Sequence, residues 1–178
     1  TASAMAVHGM AGHRRHFRPE IFDAKPFPGQ ARVAARLWSL LKPEGTPPES
    51  TAPEALQDPY SLRCTPHVAG VLDDALDWVS KWVETEANGV SDNPLINTDT
   101  GEVMTGGNFY GGHIAFAMDS IKQALASVAD LMDRQFALLV DTRFNRGLPA
   151  GLVGLEEPDH SLHHGFKALQ ITASAVTA

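Results

Sequence analysis

Apolar residues recur at steps of three and four along most of this chain, a spacing that predicts helices rather than strands. TASAMAVHGMA reads as the end of a helix, and GHRRHFRPEIFDAKPFP as an irregular, partly basic connection closed by two prolines. PGQARVAARLWSLLK places Val33, Leu37, Leu40 and Leu41 on one face of a short amphipathic helix. A Pro-rich loop over 43–56 follows, with four prolines between Pro43 and Pro53. From Pro66, the series Val68, Val71, Leu72, Ala75, Leu76, Val79 and Val83 predicts a long helix. Its other face is acidic at Asp73, Asp74, Asp77 and Glu84, and Asn88-Gly89 marks a stop.

The next stretch, VSDNPLINTDTGEVMTGGNFYGG, has turn chemistry at Asp92-Asn93-Pro94 and Thr100-Gly101 and predicts an irregular crossing with a small hairpin. Beyond it, Ile114, Met118, Ile121, Leu125, Val128, Met132 and Leu139 alternate by fours and threes, a coiled-coil-like seam interrupted by Gln135. Such a seam is too apolar to stay wet, so self-association is expected. A Gly-Leu-Pro loop, acidic residues at Glu156-Glu157 and a last helix from about Ser161 complete the pattern. The expected fold is all-α: an elongated antiparallel helical bundle, a single segment over 1–178, with a small β-hairpin crossing.

Composition narrows the functional classes. The chain has 178 residues, 43% of them hydrophobic and 20% charged, and no run approaches the ~18 apolar residues of a membrane span. A net charge of −7 without a basic stripe argues against a nucleic-acid partner. The one cysteine, Cys64, rules out an internal disulfide and fits a reducing cytoplasm. Because the chain starts at Thr1 without methionine and stops within the helix-forming run ITASAVTA, a middle fragment of something longer is expected.

Candidate chemistry concentrates in QDPYSLRCTPH, Gln57 to His67. Asp58-Pro59 suits an N-cap and first helical position, and steps of three then put Gln57, Tyr60 and Arg63 on one side with Leu62 toward a core. Arg63 offers a planar fork for a carboxylate, Tyr60 a hydroxyl, and Gln57 a neutral donor and acceptor; together they could grip an amino or hydroxy acid. The plainer alternative pairs Arg63 with Asp58 on the surface and leaves Cys64 as a small buried residue. A second cluster, TGGNFYGGH, lacks the Lys-Ser/Thr of a phosphate loop; its paired glycines around Asn108-Phe109 suggest close backbone approach with a ring presented at the turn. His13-x-x-His16 and His160-x-x-His163-His164 could be taken for metal pairs, but loop and helix-entry histidines are the expected reading and no metal site is expected.

QDPYSLRC, SDNPL and GGNF, in this order and at these separations, closely resemble the histidine and aromatic amino-acid ammonia-lyase family and its related aminomutases. FDAKPFPGQ, GLPAGLVG and HHGFKALQITASA extend the resemblance over nearly the whole chain. It implies a mostly helical homotetramer whose active sites draw on three subunits. It also implies the electrophile methylidene-imidazolone, formed from an internal Ala-Ser-Gly, which activates an L-amino acid so that a β-proton and ammonia leave. On this chain the family pattern gives Gln57, Tyr60 and Arg63 as site residues, Arg63 holding the substrate carboxylate, with Phe109 packed beside the electrophile and Asn108 shaping its turn. No Ser here is followed by Gly, so the chain alone is expected to be inactive. Tyr110 stands where histidine-specific members usually have His, and His67 where the family usually has Gln, which weakens a histidine assignment; the family's substrate-selecting pair is expected upstream of Thr1, so the substrate is open among histidine, tyrosine and phenylalanine. An aromatic 2,3-aminomutase and a non-catalytic helical assembly module are the alternatives. The aspartase and fumarase family shares long bundles, but its catalytic loop is not found.

Overall fold

The computed structural model describes residues 1–41, 56–154 and 162–177. Seven helices form along them: α1 (Ala2–Gly9), α2 (Pro19–Asp23), α3 (Pro28–Leu40), α4 (Tyr60–Arg63), α5 (Thr65–Asn88), α6 (Gly112–Val140) and α7 (Lys167–Thr177). β1 (Leu95–Ile96) pairs antiparallel with β2 (Val103–Met104), Leu95 opposite Met104. The predicted helical bundle with a small hairpin is therefore the observed architecture. The expected loop lies outside the described residues except at its end, and Glu156-Glu157 lies wholly outside them. The connection expected to be irregular contains a 3-10 turn, Arg14–Phe17, and α2, begun by Pro19 in the first helical turn.

The frame is set by α5 and α6, which run antiparallel: Gln135 meets Thr65 at one end and His113 meets Trp82 at the other. At ~1.5 Å per residue, the 24 residues of α5 span about 36 Å. Against α5 lies α3, held close by two glycines. A Cβ on Gly70 would stand 2.5 Å from the Gln30 backbone nitrogen, so only hydrogen fits there. The same crossing solves a capping problem. No side chain of its own caps α3, but Asp74 of α5 accepts the Gly29 N–H at 2.6 Å, placing a carboxylate on an orphan donor at the positive helix end. Arg32 completes the contact with ion pairs to Asp73 (2.5 Å) and Asp77 (2.7 Å), so the acidic stripe of α5 is in part the α3-facing surface.

Burial departs from the predicted faces in two places. On α3, Leu37 and Leu41 are buried as expected, but Leu40 is exposed, and Ala34 and Gln30 take the inner face. On α6 the buried line is Ala117, Ala124 and Leu131, one position before Met118, Leu125 and Met132, which remain 40–48% exposed. Small side chains let α6 approach α5, and the predicted seam becomes a flank. The stop after Asn88 holds, although Gly89 is extended (φ −83°, ψ 168°) rather than left-handed. A core of Val7, Met10, Phe17, Leu37, Leu41 and Leu62 ties α1, α3 and α4 together at one end.

Candidate active site

Gln57, Tyr60 and Arg63 sit at that end, just before α5. The turn does not start as expected: Pro59 (φ −50°, ψ 147°) is the capping position, helix begins at Tyr60, and Asp58 makes no side-chain cap. Asp58 instead turns inward, 3% exposed, and accepts hydrogen bonds from the His13 backbone N–H (2.5 Å) and His13 Nδ1 (2.9 Å). Its own N–H donates to His16 Nε2 at 3.2 Å, and Arg146 Nη2 lies 3.5 Å from its Oδ1. Asp58 is therefore not an exposed partner for Arg63: its carboxylate is buried and bonded to His13. Arg63 Nε donates to the Asp58 carbonyl oxygen at 3.1 Å, and its guanidinium lies 5.7 Å from the Tyr60 ring centroid.

This arrangement anchors the turn from below and presents it above. Leu62 is buried in the core, as its position on the far side of the turn predicts. Cys64 is also buried, and burial pushes its thiol pKa up against the opposing pull of Arg63, which makes it a poor nucleophile. Tyr60 is 64% exposed and lines a groove of about 440 Å³ with Ser61, Val68, Asp130 and Arg134. Gln57 is exposed beside it.

In the fold, the first histidine pair gains a third neighbour. Asp58 supplies an acidic partner for His13-x-x-His16, and one ligand atom from each residue lies within 4.8 Å of the others. Within the group His16 Nε2 accepts the Asp58 main-chain N–H, and His13 Nδ1 bonds Asp58 Oδ1. With Arg146 beside the same oxygen, the charge of Asp58 is balanced by side chains. Burial acts to raise the Asp58 pKa, but hydrogen bonds from His13 and the charges of His13 and His16 outweigh it and hold it below the ordinary value. The cluster is a carboxylate-centred brace under Arg63.

Asn108 and Phe109 stand at the opposite end of α5. Asn108 Nδ2 donates to the Val90 carbonyl (3.4 Å), Ser91 Oγ donates to the Asn108 carbonyl (3.3 Å), and Gly106 N–H donates to Asn93 Oδ1 (2.8 Å). The loop is thus tied to the end of α5, and its Phe109 ring is 62% exposed. The five predicted residues fall into two candidate half-sites roughly the length of α5 apart, about 36 Å, with Gln57, Tyr60, Asn108 and Phe109 exposed and Arg63 half-buried. The fold of one chain does not bring them together.

One residue near the first half-site has no counterpart in the predicted set. Gln135, at the interruption of the seam, is 3% exposed and donates through Nε2 to the Ser61 carbonyl and to Thr65 Oγ1, both at 2.9 Å. The signal was present in the missing apolar residue, but its partners lie 70 and 74 positions earlier.

Comparison with known proteins gives this geometry its setting. Histidine ammonia-lyase of Paracidovorax citrulli is 38% identical over 99% of this chain and 34% of that protein. Phenylalanine ammonia-lyase of Nostoc punctiforme is 36% identical over 97% of this chain and 31% of that protein. The solved tyrosine aminomutase of Streptomyces globisporus superposes with a TM-score of 0.84 at 30% identity, covering 99% of this chain and 36% of that one. The chain spans about a third of the length of the curated relatives it matches. The family model for aromatic amino acid lyases matches residues 1–178, and the chain belongs to that family.

Proposed function

We propose that this chain is the core segment of an ammonia-lyase that eliminates ammonia from L-histidine or an aromatic L-amino acid, giving an α,β-unsaturated acid. The observation that carries this reading is the pair of half-sites at opposite ends of α5, each bearing residues of the family pattern. In the reaction a β C–H bond loses its proton to a base, the C–N bond breaks, and the freed electron pair becomes the double bond. Arg63 holds the substrate carboxylate through its planar fork while the carbonyl of Asp58 fixes its Nε. Tyr60 and Gln57 supply hydrogen bonds beside the reacting centre. Phe109, set by the Asn108 turn, closes a site from a neighbouring copy, which requires an oligomer; the homotetramer is part of this proposal.

Methylidene-imidazolone would supply the electrophilic activation of the amino group. The residues present do not make it, because no Ser precedes a Gly in this chain. It therefore belongs to the remainder of the parent protein. Among the described residues no helix is long and apolar enough to cross a membrane, and a cytoplasmic location is part of this proposal. A second reading, an aromatic 2,3-aminomutase, is favoured by the similarity to the tyrosine aminomutase structure. Product analysis separates a β-amino acid from an unsaturated one.

The test is Arg63→Lys in the intact parent enzyme, with L-histidine, L-tyrosine and L-phenylalanine as substrates. Lysine keeps the charge and loses the fork, so kcat/KM should fall roughly ten- to a hundred-fold, about 1.5–3 kcal/mol. Stability should change by about 1 kcal/mol or less, the worth of the Arg63 bond to Asp58. Unaltered kcat/KM would remove Arg63 from the site. The isolated 178-residue chain should release no ammonia from any of the three.

A further inference from the structure

We infer that Gln135 is a positioning residue for the substrate-carboxylate site, acting from α6 on the turn that carries Tyr60 and Arg63. The inference rests on the lyase reading above and extends it to a residue outside the family motifs quoted for this chain.

The turn and α5 meet at a break between α4 and α5. Cys64 (φ −96°, ψ 9°) interrupts the helix there, so the angle of the Tyr60–Arg63 turn relative to α5 is not set by one continuous ladder of backbone bonds. Side chains fix the joint instead. Thr65 Oγ1 lies 2.9 Å from the Leu62 carbonyl and 3.1 Å from the Ser61 carbonyl, both of which can accept its proton. Gln135 reaches in from α6 and uses one amide nitrogen twice, donating to the Ser61 carbonyl and to Thr65 Oγ1. These bonds cross the break and fasten both sides of it to the longest helix in the described residues.

The choice of residue carries the rest of the argument. A buried amide at an apolar position is costly unless it is bonded, and a leucine here would serve packing while leaving the Ser61 carbonyl without this donor. Glutamine at this place holds the turn where packing alone would let it slide. Displacement of even about 1 Å at such a joint is enough to misalign a fork that must meet a planar carboxylate. Arg63 is braced twice: by Asp58 on its own side, and by Gln135 through the backbone of its turn.

The experiment uses the intact parent enzyme carrying Gln135→Met, Arg63→Lys, and both. Gln135→Met should raise KM and the inhibition constant of the unsaturated product acid in parallel, each about ten-fold, with kcat within about two-fold of the parent. In the Arg63→Lys background it should add less than about two-fold, because the fork it aims is gone. A ten-fold further loss in that background, or a Tm decrease with KM and product inhibition unchanged, would reduce Gln135 to a packing residue and overturn the inference. Should Gln135→Met fail to assemble, Thr65→Val removes one of the two acceptors and Thr65→Ser restores it. The inference then requires KM to rise in the first and recover in the second, and falls if the two behave alike. Failure of the lyase reading is visible separately, as Arg63→Lys leaving KM and kcat unchanged.

Discussion

At the scale of single residues, His67 is a group through which acid should destabilise the fold. Its ring lies 5.2 Å from that of Phe22, and its Nδ1 is buried without a hydrogen-bond partner among the described residues. Burial, reinforced by the charges of Lys25 and Arg63, pushes its pKa below the ordinary 6.5. His16 shifts the same way, with burial the largest cause. A depressed folded-state pKa means that the unfolded chain binds the proton first. The stabilisation is therefore whole above 6.5 and is lost as pH falls through the folded values. Asp58 is also depressed, but its window lies below 3.8. The melting temperature should fall between pH 7 and pH 5, and His67→Gln, whose amide does not titrate, should flatten that slope. Circular-dichroism melts across the range measure it, and equal slopes would show that His67 ionises alike in both states. Sequence spacing was enough to send Leu62 inward and leave Tyr60 outside. It could not show Asp58 buried among histidines, because those partners are 42 and 45 residues distant.

At the scale of elements, the contact between α3 and α5 depends on the absence of a side chain. Gly70→Ala would force α3 outward, pulling Gly29 N–H from Asp74 and Arg32 from Asp73, Asp74 and Asp77. Overpacking of this kind costs about 1–3 kcal/mol, which should appear as a lowered denaturation midpoint with little change in m-value. An unchanged midpoint would show that the helices part freely. The periodicity that predicted α5 and α6 was right in spacing, since both helices form where expected. It selected the wrong line on α6 because Ala117 and Ala124 look weakly apolar beside Met118 and Leu125, yet small residues decide where two helices can touch. The same blindness hid the two half-sites' separation: motif order along a chain carries no length until the helix between them is known.

At the scale of the whole molecule, Phe116, Met118, Leu125 and Met132 leave an apolar stretch of α6 exposed in a chain spanning about a third of its relatives. Light scattering on the isolated chain at high concentration should find association, and a strictly monomeric species would show this face to be tolerated by water. Helical content and the hairpin crossing were legible from pattern alone, whereas the separation of the candidate residues to opposite ends of α5 was not. The antiparallel pair of α5 and α6, with Arg63 at one end and Phe109 at the other, has a genetic consequence on the proposed reading. Each copy lends its two ends to different sites, so a defective allele spoils sites built partly from normal copies and behaves as more than a simple loss. By the same geometry, an allele damaged only in the helical turn and another damaged only in the crossing loop can restore whole sites when their products assemble together.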